Sequence, residues 1–159
     1  MLQAQEFAAS AQETVQGNYV LVEKFVTTEE LVSISRTQWP DETPYAFKAM
    51  LVKLAVPAGT GTGLINVAYN NEWLSVSLSS VNTIATVKRW GWSKCFREHG
   101  LWVCQFSAGS SEYAQSVYQM AGLEEKINDL PVTRVTISAP TKDVAIPAGT
   151  EIKIYGVRA

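Results

Sequence analysis

Residues 146–158, IPAGTEIKIYGVR, constrain the fold of this 159-residue chain more than any other stretch. A Pro-Ala-Gly-Thr corner leads into a run in which Ile152, Ile154 and Gly156 fall on one side and Glu151, Lys153 and Tyr155 on the other. Strict period-2 alternation with one apolar side marks a half-buried strand. Such a terminal strand is expected to be tied into a sheet rather than left loose. Gly156, without a Cβ, admits a close approach or a bulge near the end of that strand.

The rest of the chain reads as β around this element. Residues 18–26 (NYVLVEKFV) and 31–38 (LVSISRTQ) are strand-like and separated by a Thr-Thr-Glu-Glu turn. The two prolines of WPDETP, 39–44, oppose both ladder and helix. The apolar run 45–56 (YAFKAMLVKLAV) has a length that also suits a helix, but bounding prolines and flanking strands favour a central strand. Strands are further expected over 63–69, 73–78, 83–92, 132–139 and 150–158. Two segments break the pattern. In 1–16, Phe7, Ala11 and Val15 recur at helical spacing before Gly17, with Leu2 further upstream. The stripe is thin, so this short helix is marginal alone and reads either as a frayed arm or as one that packs on a neighbouring subunit. In 110–122, Tyr113, Val117 and Met120/Ala121 recur between serines and Gly122, which predicts a helix, with a strand as the alternative. The expected organisation is an N-terminal arm, 1–17, and one β-sandwich domain, 18–159. That length buries about 70% of the unfolded surface.

Net charge is −2 and there is no basic block, which argues against nucleic acid and against a polybasic membrane contact. No apolar run approaches the ~20 residues of a membrane-spanning helix, and the N-terminal residues lack a signal peptide's charged and apolar regions. Cytoplasmic synthesis is expected.

In CFREHGLWVC, 95–104, His99-Gly100 suits a two-residue hairpin turn. Counting outward pairs Glu98 with Leu101, Arg97 with Trp102, Phe96 with Val103, and Cys95 with Cys104. The two thiols then fall on a non-hydrogen-bonded pair, where side chains lie close. A reducing cytosol favours free thiols over a disulfide.

Catalytic patterns are missing from the sequence. His99 is single and sits in the turn; Asp41-Glu42, Glu124-Glu125 and Asp129 form no acid/base pair; no serine lies in a nucleophile elbow. The loop GTGTG, 59–63, lacks the Lys-Ser/Thr of a phosphate loop. Two Cys and one His do not make a zinc set. The reading is a non-enzyme without a cofactor. The aromatics carry more information: Trp90 and Trp92 share a strand face, and Trp102 lies across the hairpin opposite Arg97, within cation–π reach. Core packing is the first reading of these indoles; an aromatic platform for a sugar or a partner protein, formed by Trp90, Trp92 and Trp102, is the second.

The closing region 132–158 (VTRVTISAPTKDVAIPAGTEIKIYGVR) resembles the last hairpin of jelly-roll structural proteins in tailed-bacteriophage virions. The resemblance covers about a sixth of the chain. It implies a mainly β, jelly-roll-like antiparallel sandwich with one or two short helices, on a capsid, tail tip or fibre. It further implies a homo-oligomer, with a trimer favoured, assembled in the host cytoplasm and bound to other virion proteins. A chain that is nearly all sandwich, without heptad repeats, suits capsid decoration or cementing ahead of a tail position. The alternative is a receptor-binding head or carbohydrate-binding module for a host surface glycan.

Overall fold

The computed structural model describes residues 18–58, 64–70, 74–79, 88–98, 101–110, 116–122, 131–139 and 146–159. They form ten strands and, among the described residues, no helix: β1 (Val20–Val26), β2 (Ser33–Arg36), β3 (Phe47–Val56), β4 (Leu64–Tyr69), β5 (Leu74–Ser79), β6 (Arg89–Glu98), β7 (Leu101–Ser110), β8 (Ser116–Gly122), β9 (Val135–Ser138) and β10 (Glu151–Arg158). A six-stranded antiparallel sheet runs β1-β10-β3-β6-β7-β8, and a four-stranded one runs β2-β9-β4-β5.

The pairings nest. β1 pairs with β10, β2 with β9, β3 with β6 and β4 with β5, each strand finding a partner further in from the other end of the chain. This nested ribbon is rolled shut by two further pairings, β10 with β3 and β4 with β9. β7 and β8 extend the larger sheet beyond the nest.

Between the sheets lies one core. Met50, Val52 and Leu54 of β3 and Ile152 and Ile154 of β10 meet Ile34, Ile65, Val67 and Ile137 from the smaller sheet. Alternation along β10 therefore works as its sequence implies, with both isoleucines fully buried. Gly156 continues that side, and a Cβ there would land in the Phe47 ring. The close approach expected at this glycine is thus made by an aromatic side chain. A register shift follows between Val157 and Arg158.

The Pro-Ala-Gly-Thr corner before β10 is a type II turn: Gly149 has φ +84° and Thr150 N donates to Pro147 O at 3.3 Å. Thr27 locks it, its Oγ1 donating to Pro147 O at 2.7 Å and accepting from Thr150 N at 3.0 Å. Asn70 makes a second clamp. It has left-handed φ 55°, and its Oδ1 accepts from Thr133 N at 2.7 Å and Arg134 N at 3.2 Å while its Nδ2 donates to Pro131 O.

Two expectations require correction or fall outside view. The helix expected over 110–122 is not formed where that segment is described: Ser116–Gly122 is strand β8, paired along β7 from Ala108↔Ser116 to Trp102↔Gly122. β-Branched Val117 and aromatic Tyr118 suit a strand, and the ten-residue β7 supplies the hydrogen-bonding edge that local spacing cannot reveal. The helix expected over 1–16, with Leu2, Phe7, Ala11 and Val15, lies outside the described residues, as does the loop 59–63. The strand expected over 83–92 and the first hairpin strand are one element where described, β6.

Candidate functional site

The hairpin places the residues singled out from sequence. β6 and β7 pair in the register that a turn at His99-Gly100 requires, from Glu98↔Leu101 through Cys95↔Cys104 to Arg89↔Ser110. Alternation then divides the aromatics. Trp102 and Cys104 face inward with Cys95, all fully buried in the core between the sheets. Trp90 and Trp92 face the other way and are half-buried. The platform of three indoles is therefore not assembled: odd spacing across the hairpin puts Trp102 on the opposite side of the sheet.

Cys95 and Cys104 are free thiols. Burial pushes both up, Cys104 to about 11 and Cys95 well above its ordinary value, so at neutral pH both are protonated and poor nucleophiles. Ser93 Oγ lies 3.6 Å from Cys104 Sγ, and the Tyr69 hydroxyl lies 2.9 Å from the same Oγ and 3.0 Å from the Ser93 carbonyl oxygen. This polar thread ties β4 to β6 across the sandwich. Among the described residues no three His, Cys, Asp or Glu gather as a metal would need. An open groove of about 340 Å³ runs beside the edges of β1 and β2, lined by residues that include Phe25, Glu29, Leu31 and Arg36. Arg36 is engaged there, bridging to Glu23 at 3.0 Å with its guanidinium 4.7 Å from the Phe25 ring centre.

The outer face of the six-stranded sheet is distinctive because its centre is buried, with Tyr155, Leu51, Tyr19 and Ala49 at 0%, 3%, 6% and 8% exposure. Tyr19, Ala49, Leu51 and Tyr155 form a second apolar cluster there, with Leu21, Trp92, Phe96 and Val157 packed against it. Lysines are interleaved with the rings. Lys53 Nζ stands 5.2 Å from the Tyr155 ring centre, and Lys94 Nζ stands 5.2 Å from those of Tyr19 and Phe96. Burial raises the Tyr19 hydroxyl far above its usual range, so it stays neutral beside Lys94. The Trp90 indole lies flat over Gly109: a Cβ on Gly109 would meet three atoms of its six-membered ring at 2.7, 3.1 and 3.2 Å. Ser107, opposite Trp92, is fully buried, and its Oγ has no hydrogen-bond partner.

Sequence reasoning found Trp90 and Trp92 but missed Lys53, Lys94, Tyr155 and Gly109. The signal for Gly109 was present, because counting out from His99-Gly100 places it opposite Trp90. Lys53 was hidden inside an apolar run that reads as buried on both sides. Chemically, among the described residues only the half-buried Trp90, Trp92 and Phe96 beside Lys94 offer aromatic area on this face, since Tyr155, Leu51 and Tyr19 are buried. Neither protein-family models nor curated protein sequences match this chain.

Proposed function

We propose that this chain is a non-enzymatic structural protein of a bacteriophage virion, a surface-exposed homo-oligomer with a jelly-roll fold that decorates or cements a capsid. The observation that carries the reading is the nested pairing. Setting β7 and β8 aside, the orders β1-β10-β3-β6 and β2-β9-β4-β5 are what a long antiparallel ribbon produces when it is rolled into two facing sheets. That arrangement supports the jelly roll implied by the resemblance of 132–158. The oligomer, a trimer being favoured, follows from the same resemblance and not from an exposed patch, because the second apolar cluster is already buried within the chain. Residues 1–16 add area to contacts between copies. Binding only the assembled shell then stabilises it by mass action. Light scattering of the protein, followed by electron microscopy of particles with and without it, tests this. A monomer that leaves undecorated particles bare contradicts the reading.

A second reading, a receptor-binding head or sugar-binding module, is favoured by one observation: the flat Trp90 indole over Gly109, with Trp92 on the same face. Quenching of tryptophan fluorescence by glycans, lost on Trp90→Ala, tests it.

A further inference from the structure

We infer that the outer face of the six-stranded sheet binds an acidic glycan, a sugar polymer bearing carboxylate or sulfate groups. The inference rests on the sugar-binding reading above and names the class of sugar. It starts from a row of like charges. Lys24 of β1 stands directly opposite Lys153 of β10, Lys153 opposite Lys53 of β3, and Lys53 opposite Trp92 of β6. Three lysines and one tryptophan therefore share a level on four consecutive strands. Lys94 follows two residues along β6, on the same side. Like charges on directly opposed positions destabilise a sheet. Among the described side chains on this side of β1, β10, β3 and β6, only Glu151 answers the four lysines, 3.8 Å from Lys153. The face is thus cationic in a chain whose net charge is −2.

The buried rings beneath hold these charges in place. Tyr155 and Tyr19 are themselves closed to a ligand, at 0% and 6% exposure. Lys53 lies over the first and Lys94 over the second, each with Nζ 5.2 Å from the ring centre. Cation–π contact keeps those ammonium groups over the face, while exposed Lys24 and half-buried Lys53, Lys94 and Lys153 still reach its surface. An anion here meets cations already placed, which lowers the ordering cost of binding. Neighbouring strands lie about 4.8 Å apart, close to the advance of one hexose ring along an extended polymer. Consecutive acidic rings laid across β1, β10 and β3 thus meet one lysine each, and the next ring reaches Trp92. Trp92 and Trp90 are half-buried on this side, and Trp90 lies flat over Gly109, the attitude in which an indole stacks on a sugar ring. A nucleic acid is disfavoured by the negative net charge and the lack of a basic block.

The test titrates the full chain with polygalacturonate and with heparin, against the uncharged methyl ester of polygalacturonate, following tryptophan fluorescence and binding heat. An acidic polymer is expected to bind, more weakly as salt rises, and the methyl ester about 10-fold less tightly or worse. Preference between the two acidic polymers separates carboxylate from sulfate recognition, and either supports the inference. The double variant Lys53→Gln/Lys153→Gln is expected to weaken acidic-glycan binding about 10-fold, two ion pairs being lost. Lys24→Gln, exposed on the edge strand and so without effect on packing, is expected to weaken it about 2-fold to 3-fold. A methyl ester that binds as tightly as the acidic polymers overturns the inference and leaves the sugar-binding reading standing. Absence of binding by every glycan overturns both. Acidic-glycan binding unchanged in all the lysine variants overturns the assignment to this face. Single-stranded DNA or polyglutamate that displaces the glycan at lower concentration assigns the face to another polyanion and overturns the inference.

Discussion

The two sides of the six-stranded sheet are built from the same strands yet obey different rules. Inward, β3 and β10 present Met50, Val52, Ile152 and Ile154, all at 0% exposure and packed against a second sheet. Outward, the alternate residues are Leu51, Lys53, Tyr155 and Lys153, a mixture of rings, aliphatic carbon and ammonium groups. At the centre of β3 and β10 the inner side holds no charge, because a lysine there could not reach water. The outer side tolerates it because lysine stems lie along apolar surface while the head groups stay over ring faces. Alternation alone thus builds one side purely apolar at these positions and the other mixed, with Leu51 and Tyr155 buried and the lysines half-exposed.

The comparison breaks most readily at its tryptophans. Trp102→Ala, which empties a fully buried inner position, is expected to cost about 3–5 kcal/mol in urea denaturation. Trp92→Ala, half-buried outside, is expected to cost about 1 kcal/mol, since only part of its area leaves water on folding. Equal costs would show that the outer face is a second core. The two glycines give a smaller contrast. Gly156→Ala forces the Phe47 ring from a filled interior, at about 1–3 kcal/mol, while Gly109→Ala lifts the Trp90 indole toward the open side, at about 1 kcal/mol or less.

Smaller still is a pH effect confined to the inner side. The Cys104 thiol has a folded pKa of about 11 against an ordinary 9.0, so the folded state holds its proton more tightly. The stability it contributes is full below pH 9 and is lost as pH rises toward 11, about 1 kcal/mol being gone by pH 10. Melting temperature followed across this range should fall, and Cys104→Ala should flatten part of the slope. The smallest effect belongs to Lys94→Met outside, within about 1 kcal/mol, because it removes a cation from two ring faces but keeps the stem. A larger loss at low salt than at high salt would sharpen the assignment of that contact to electrostatics.

Much of this architecture was legible where periodicity was strict. β10 and the hairpin register followed from alternation and a two-residue turn, since both are local rules. β8 was misread as helix because its pairing edge is supplied by β7, and a hydrogen-bonding partner leaves no mark on the segment that receives it. The candidate surface was half legible. Trp90 and Trp92 stood out by residue type, but Lys53, Lys94 and Tyr155 come from strands β3, β6 and β10, and only the order β10-β3-β6 brings them onto one face. Trp102 was assigned to the wrong side because the reading grouped indoles by closeness in sequence rather than by parity across the hairpin.

The nested pairing has a consequence for how the chain reaches this state. β10 sits between β1 and β3, yet it follows both in sequence by about a hundred residues or more: Val20 pairs with Gly156, and Ala55 with Glu151. During synthesis, β1 and β3 therefore emerge with no strand to separate and join them, and one edge of β3 stays unpaired until β10 arrives. Contacts of such long sequence separation are slow to form, and strand edges left waiting are open to pairing with other chains.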